Sequence, residues 1–456
     1  MTDKSKSSLE DIVSLAKRRG FIFSGSEIYG GLAGTYDYGP LGVTLKNNIK
    51  NLWWKRFVET PENMYGIDAA ILMNSAVWQA TKHTENFADP LVDDVKTKKR
   101  YRADHLLEEV GIGARTLTVK EMNALIAEKG IKSPEGNPLG EVRKFNMMFS
   151  TKVGASDDSS ALVYLRPETA QGMFVNFKNV IDTFHPKLPF GLGQIGKAFR
   201  NEITPRDYIF RIRELEQMEI EYFIRPETWE KEFDSWMKNI TKFLVDDIGL
   251  NPKHLHQYEH SEEERSFYSK KTVDIEFDYP FGQKELYGLA YRTDYDLKQH
   301  SEASKTDLSY YEEGEERFIP HVIEPAVGVD RTVLAVLCDA YTEDELGGEK
   351  RVYLKLSKNI APVNVAVFPL LKNKPELVAK AREIFAGIKK EIPSAMFDDN
   401  GNIGKRYRRQ DEIGTPYCVT IDFETLEGKG VTVRNRDTGE QERVGEQELI
   451  QHLRQL

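Results

Sequence analysis

Arginines and carboxylates crowd one short stretch of this chain, FRNEITPRDYIFRIRELEQMEIEYF at 199–223. Two strand-like runs flank a polar turn holding Pro205, Arg206 and Asp207, the pattern of a hairpin. A strand period of two predicts Arg211, Arg213, Leu215, Gln217 and Glu219 on one face, with Ile212, Met218, Ile220 and Tyr222 on the other. A face of that polarity fits the solvated side of a hairpin. It also fits phosphate chemistry, because a guanidinium fork matches an anionic phosphoryl group whose charge shifts during attack. A second constellation, IEPAVGVDRTVLAVL at 323–337, reads as a strand running into a helix. Gly328 permits close approach there, and the free N–H groups of a helix start favour phosphate. The plain alternative is a junction carrying a surface arginine, Arg331. Between the two, KELYGLAYRTDYDLKQH at 284–300 offers Glu285. Taken alone it reads as an exposed acid among charged neighbours.

The first stretch resembles motif 2 of the class II aminoacyl-tRNA synthetases. Phe199, Arg200, Asn201 and Glu202 supply its first half, and Arg211, Leu215 and Glu219 its second. The resemblance implies that Arg200 holds the α-phosphate of ATP and stabilises the pentavalent transition state. It places Glu202 on the adenine amino group and Arg211 at the nucleotide. Leu215 departs from the pattern, which usually has an aromatic stacked on adenine. The second stretch is similar to motif 3, whose arginine, here Arg331, binds the γ-phosphate, making Arg200 and Arg331 the catalytic pair. The same resemblance puts Glu285 on ATP and its Mg²⁺. It extends the implied ATP set to Phe210, Ile212, Arg213, Glu214, Leu286, Gly328, Val329 and Asp330.

YLRPETAQGMFVNF (164–177), GSEIYGG, DYGPLG, RYRADHLLE, RELEQME and EPAVGVDR are similar to the glycyl branch of that class. The resemblance implies that Glu168, Glu219 and Glu324 line an amino-acid site. Arg100, Leu215, Glu216, Gln217, Met218, Pro325, Ala326, Val327 and Gly328 would lie beside them, with Arg102 as the alternative to Arg100. Carboxylates suit glycine, which offers an ammonium group to grip and no side chain. Bulk where a Cβ would stand excludes alanine. Glu168 also fits as an acid in a first helical turn after Pro167. Three departures stand out: Ala326 for a serine, Ser75 for a proline before VW, and Lys82 for a glycine in VWQATKH. The implied activity is ligation of glycine to tRNA(Gly), with ATP and Mg²⁺, by a homodimer. The rivals are another class II synthetase, such as the prolyl or threonyl enzyme, and a catalytically silent relative serving as a nucleic-acid-binding or accessory subunit.

These groups need a scaffold, and 456 residues suffice for two or three domains. Amphipathic patterns predict helices over 9–19 and 43–59, and a further helix within a polar stretch at 111–160. Strands dominate 161–225. Another helix and a Glu/His-rich loop precede the strands TVDIEFDYP and KELYGLAYR, and a helix, VDRTVLAVLCDAYTEDE, follows IPHVIEPAVG. A break is expected near 345–362, and beyond it strands and helices alternate. The expected fold class is α+β. It comprises a class II antiparallel-sheet catalytic domain over 1–350, with insertions about 90–160 and 225–270, then a small α/β module at 361–456. That module resembles the anticodon-binding domain of the glycyl, prolyl, threonyl and histidyl enzymes. Lys405, Arg406, Arg408, Arg409 and Arg434 are its candidate tRNA contacts. The two cysteines lack CxxC spacing, which excludes a thiolate zinc knuckle and suits a cytoplasmic chain. No apolar run approaches the ~18 residues of a membrane helix, so no membrane partner is expected. The net charge of −10 leaves nucleic-acid contact to local basic patches.

Overall fold

The computed structural model describes residues 8–114, 117–154, 162–266, 268–314 and 316–455. The first seven residues and 155–161 of the polar stretch, including Ala161 of the expected strand, lie outside them. A seven-stranded sheet holds both of the segments singled out above. Its strands are β1 (Met64–Gly66), β2 (Phe190–Phe199), β3 (Glu214–Ile224), β4 (Leu255–Glu259), β5 (Lys271–Tyr279), β6 (Gly282–Thr293) and β7 (His321–Gly328). Their order is β4-β5-β6-β7-β3-β2-β1, antiparallel throughout except where β1 runs parallel to β2.

β2 and β3 form the expected hairpin, Phe199 standing opposite Glu214. Arg211 and Arg213, however, precede the strand instead of alternating along it. Asp207 and Tyr208 take left-handed backbone conformations (φ 60° and 59°) and open a short 3₁₀ turn, Tyr208–Phe210. Regular alternation therefore begins only at Glu214, with Leu215, Gln217, Glu219 and Glu221 on one face. On the opposite face Met218 and Ile220 pack with Trp53, Phe57 and Leu337 in the main core. Phe223 shares the carboxylate face and packs against Phe174 and Phe177 of the helix Ala170–Phe184. Burying each such side chain contributes about 1.5–3 kcal/mol, so the sheet is clamped on both faces around its polar strip.

Residues 225–270 are not an insertion in the fold. The helix Trp229–Lys242 buries Phe233, Trp236 and Ile240 in the main core, and β4 forms the edge of the sheet. The helix is amphipathic with aromatics on one stripe, and that stripe needs the sheet to cover it. Within 90–160 the described residues build a small sheet and two helices of their own. Strands Ala88–Asp93, Arg100–Arg102 and Arg143–Asn146 and the helices Ala103–Glu109 and Val119–Lys129 surround their own cluster, including Val92, Leu107, Met122 and Val142.

The expected break is instead a β-hairpin, Tyr341–Leu346 with Glu349–Leu354, turning at Gly347–Gly348. The preceding helix accordingly ends at Ala340, short of the TEDE segment. Buried Arg351 decides this: it forks onto Asp344 at 2.6 and 2.8 Å and reaches Asp411 at 3.3 Å. Beyond it, five strands and the helices Pro375–Glu391 and Ile403–Ile413 enclose a second core of Val365, Leu377, Ile384 and Val419. Most of the expected RNA-facing arginines hold this module together. Arg406 is buried and donates to the carbonyls of Pro369 and Gly401. Arg434 is buried on Asp411 at 2.8 and 3.1 Å. Arg408 pairs with Glu349 and Arg409 with Asp398. Lys405 is exposed. A basic residue every three or four positions puts some of them on the inner face of a helix, where carbonyls and carboxylates capture them.

Candidate active site

A cavity of about 310 Å³ opens on the polar strip, between the β2–β3 hairpin and the junction of β7 with the helix Val329–Ala340. Arg200, just past the end of β2, enters it. Its Nε donates to the Pro167 carbonyl at 3.1 Å and its guanidinium lies 5.5 Å from the Phe87 ring. Arg331 enters from the first turn of the helix, stacked 4.4 Å above Phe210 and donating to the Glu285 carboxylate at 2.8 Å. Tyr279 and Phe281 hold Phe210 edge-on, with centroids at 5.1 and 5.2 Å. The Arg331 charge holds Glu285 below the usual carboxylate range. Glu202, Arg211, Ile212, Leu215, Gln217, Ala326, Val327, Gly328 and Asp330 complete the wall. Behind it Asp330 accepts from the Tyr38 hydroxyl (2.6 Å), Lys46 (3.1 Å) and the backbone N–H of Glu216 (2.8 Å). That knot ties the helix Pro40–Trp54 to both halves of the site.

Several expected ligands face elsewhere. Glu216 pairs with Lys46 and Lys50 at 3.0 Å, while Met218, Leu286 and Val329 are core residues. The two-residue period turns 216, 218 and 286 away from the face that carries 215, 217 and 285. Arg213 straps the glycine-rich loop, donating to the carbonyls of Glu202 and Ala33, and Glu214 pairs with Lys197 at the strand end. Asn201 docks by its backbone N–H on the Met147 carbonyl. Pro325 stands opposite Leu289 in the ladder. Arg100 is exposed beside Asp93 at 3.2 Å. Arg102 lines the cavity instead, fixed by Asp89 and Asp104, each at 2.6 Å.

Deeper along the strip, Glu168, Glu219 and Glu324 converge. Glu168 lies ahead of the helix whose N-cap is Thr169, so it does not act as a first-turn acid. It faces His83 at 3.2 Å and accepts from Gln171 at 3.0 Å. Burial alone would raise its pKa, but His83 and Arg292 hold it well below the usual range. Glu219 accepts from both the N–H and the hydroxyl of Thr169, and burial together with the charge of Glu168 raises its pKa. Glu324 accepts from Arg292 at 2.9 Å; burial nonetheless drives its pKa well above normal. Arg292 also forks onto Asp296, both bonds at 2.8 Å. The strip thus offers guanidinium groups at one end and buried carboxyl groups at the other.

Residues 149–340 match the family described as tRNA synthetase class II core domain (G, H, P, S and T), and residues 364–456 match the anticodon binding domain. A glycine–tRNA ligase of Caldanaerobacter subterraneus subsp. tengcongensis is 51% identical, with 98% of each chain covered. Those of Clostridium acetobutylicum and Acetivibrio thermocellus are each 50% identical, over 99% and 98% of both chains. The chain belongs to the glycine–tRNA ligase family. It is therefore an ATP-dependent aminoacyl-tRNA ligase of class II. Among the described residues no helix is long and apolar enough to cross a membrane.

Two departures in this ligase have local explanations. Ser75 is the first residue of the helix Ser75–Ala80, a position that accepts proline or serine alike. Lys82 takes the left-handed conformation (φ 60°) that a glycine adopts without strain. Glu221, His83, Gln171, Arg292 and Asp296 are functional residues that the sequence pattern alone does not single out. Period two from Glu219 puts Glu221 on the same face; the others come from distant segments.

Gly196 has a further use. A Cβ there would meet the Arg166 guanidinium at 2.2 Å. Arg166 is itself buried and held by the carbonyls of Lys197 (2.6 Å) and Ala69 (2.7 Å), so it cannot yield cheaply. Gly196→Ala is expected to lower stability by about 1–3 kcal/mol, read by urea unfolding; an unchanged midpoint would show that Arg166 is free to move.

Proposed function

We propose that the cavity binds ATP with its α-phosphate against Arg200 and its terminal phosphate against Arg331. The ammonium of glycine meets Glu168, Glu219 and Glu324. The observation that carries this reading is the single strip holding both arginines and the carboxyl pocket. Gln217 and Glu219 stand one strand repeat, ~7 Å, apart between its two ends. Glu202 then reads the adenine amino group and Arg211 lies along the nucleotide. The aromatic expected at Leu215 has a counterpart in Phe210, already under Arg331.

In the first step a glycine carboxylate oxygen attacks the α-phosphorus, the bond to the β-phosphate breaks, and pyrophosphate leaves. Arg200 offsets the charge gathering on the phosphoryl oxygens. In the second step a terminal ribose hydroxyl of tRNA(Gly) attacks the adenylate carbonyl and AMP leaves. No side-chain nucleophile is needed; position and charge carry the rate. Glu285 fits a hard cation, since Arg331 keeps its oxygens ionised at the cavity wall. Mg²⁺ held there with ATP would supply charge neutralisation at the phosphates. We assign the chain to the cytoplasm as a homodimer. The exposed apolar tip of the glycine-rich loop, Ile28 and Tyr29, supports self-association. In the C-terminal module Lys405 remains the proposed anticodon contact. A silent accessory role is disfavoured by two arginines aimed into one cavity.

Pyrophosphate exchange into ATP tests the reading. Glycine is expected to drive it, with alanine, serine, proline and threonine near background. Arg331→Ala is expected to cut it by about 10²-fold or more; full exchange in that variant sinks the phosphate assignment.

A further inference from the structure

Glu221 has no part in the roles assigned above, yet no acid of the pocket is more buried, at 0% exposure. Neither of its carboxyl oxygens has a hydrogen-bond partner. One oxygen from each of Glu219, Glu221 and Glu324 falls within 4.8 Å of the others. The ladder explains the crowding. Glu219 stands opposite Ala326 and Tyr222 opposite Ile323, so Glu221 faces Glu324 directly across the β3–β7 pair.

Two ionised carboxylates directly opposite repel one another, and a buried charge without a partner is not tolerated. Several donors of the pocket are committed. Arg292 serves Asp296 and Glu324, His83 and Gln171 serve Glu168, and Thr169 serves Glu219. Among the described residues Glu221 receives no hydrogen bond. A neutral carboxylic acid resolves the conflict, because it removes one charge and gains an O–H that can donate to its neighbour.

We propose that Glu221 is a positioning residue, held as the neutral acid, whose O–H donates to the Glu324 carboxylate and so fixes that carboxylate for the substrate ammonium. Burial first, and the charge of Glu324 second, raise the Glu221 carboxyl well above its usual range, in the same direction. Arg292 opposes that rise, and Glu219 and Asp296 add to it. The inference rests on the reading of this pocket as the glycine site. It explains why a strand already bearing Glu219 carries a second acid behind it. One acid meets the ligand and the other aligns the opposite wall.

The full-length enzyme with Glu221→Gln, Glu221→Met and Glu219→Gln tests this, with KM for glycine and for ATP read separately in pyrophosphate exchange. Gln keeps a donor, so its glycine KM is expected within about 3-fold of the parent. Met lacks one and is expected to raise glycine KM by about 10-fold or more, with ATP KM unchanged. Infrared difference spectra are expected to show a protonated-carboxyl C=O band in the parent that is missing in Glu221→Gln. A Gln variant as impaired as Met, a Met variant equal to the parent, or no band lost overturns the inference. Should Met not fold, the Gln variant and its spectrum still decide. Glycine KM unmoved in Glu219→Gln overturns the site reading itself, a separate result.

Discussion

Arg200→Ala is expected to lower kcat for glycine-dependent pyrophosphate exchange by about 10²–10³-fold, the loss typical of removing a donor aimed at developing charge. The reason lies in how little else Arg200 does. Among the described residues its side chain makes one hydrogen bond, to the Pro167 carbonyl, lies against the Phe87 ring and adds to the field on Glu285, so the fold loses only about 1 kcal/mol with it. The unfolding midpoint should therefore stay near the parent's while catalysis collapses. Arg200→Lys is expected to recover little, because a point ammonium cannot span two phosphoryl oxygens as a fork does. Glycine KM should change far less than kcat, since the carboxyl pocket lies further along the strip. A variant with exchange within ~3-fold of the parent would remove Arg200 from the reaction.

Arg200 and Arg213 differ in whether their neighbours in the chain decide where they point. Both lie in the same segment, and periodicity put Arg213 on the functional face. Its guanidinium instead reaches the carbonyls of Glu202 and Ala33, because the left-handed residues Asp207 and Tyr208 interrupt the strand before it. A local pattern fixes hairpins and strand-to-helix junctions, which depend on neighbours in the chain. It does not fix who answers a buried charge. Arg292 finds Glu324 across 32 positions, and Glu168 finds His83 across 85. Arg351 and Arg434 meet on Asp411 and make a hairpin and a module boundary out of what reads as a loop. The basic helix 403–413 fails for the same reason, since Arg406 has carbonyl partners that no spacing announces.

Arg292→Leu is the complementary case, a variant whose damage falls first on the fold. Arg292 is 2% exposed in its side chain, Asp296 is 1% and Glu324 is 10%, so its removal strands two buried acids. Breaking a buried pair from one side costs about 3–5 kcal/mol, much of an ordinary domain's stability. The pH dependence has a definite sign. Without the guanidinium, the folded-state pKa of Glu324 rises further above its unfolded one, about 4.3. Glu324 is already raised even with Arg292 present. Folding then takes up protons, and stability falls as pH rises from the unfolded toward the folded pKa. The deficit of Arg292→Leu in urea unfolding should therefore be larger at pH 8 than at pH 5.5. A deficit that shrinks with rising pH would mean that water reaches these carboxyls. Arg292→Lys is expected to leave most of the loss in place, because one ammonium cannot serve both Asp296 and Glu324 in the observed planar fork. The same guanidinium thus holds the walls of the ammonium pocket and makes their burial tolerable, so stability and glycine recognition in this ligase stand on one side chain.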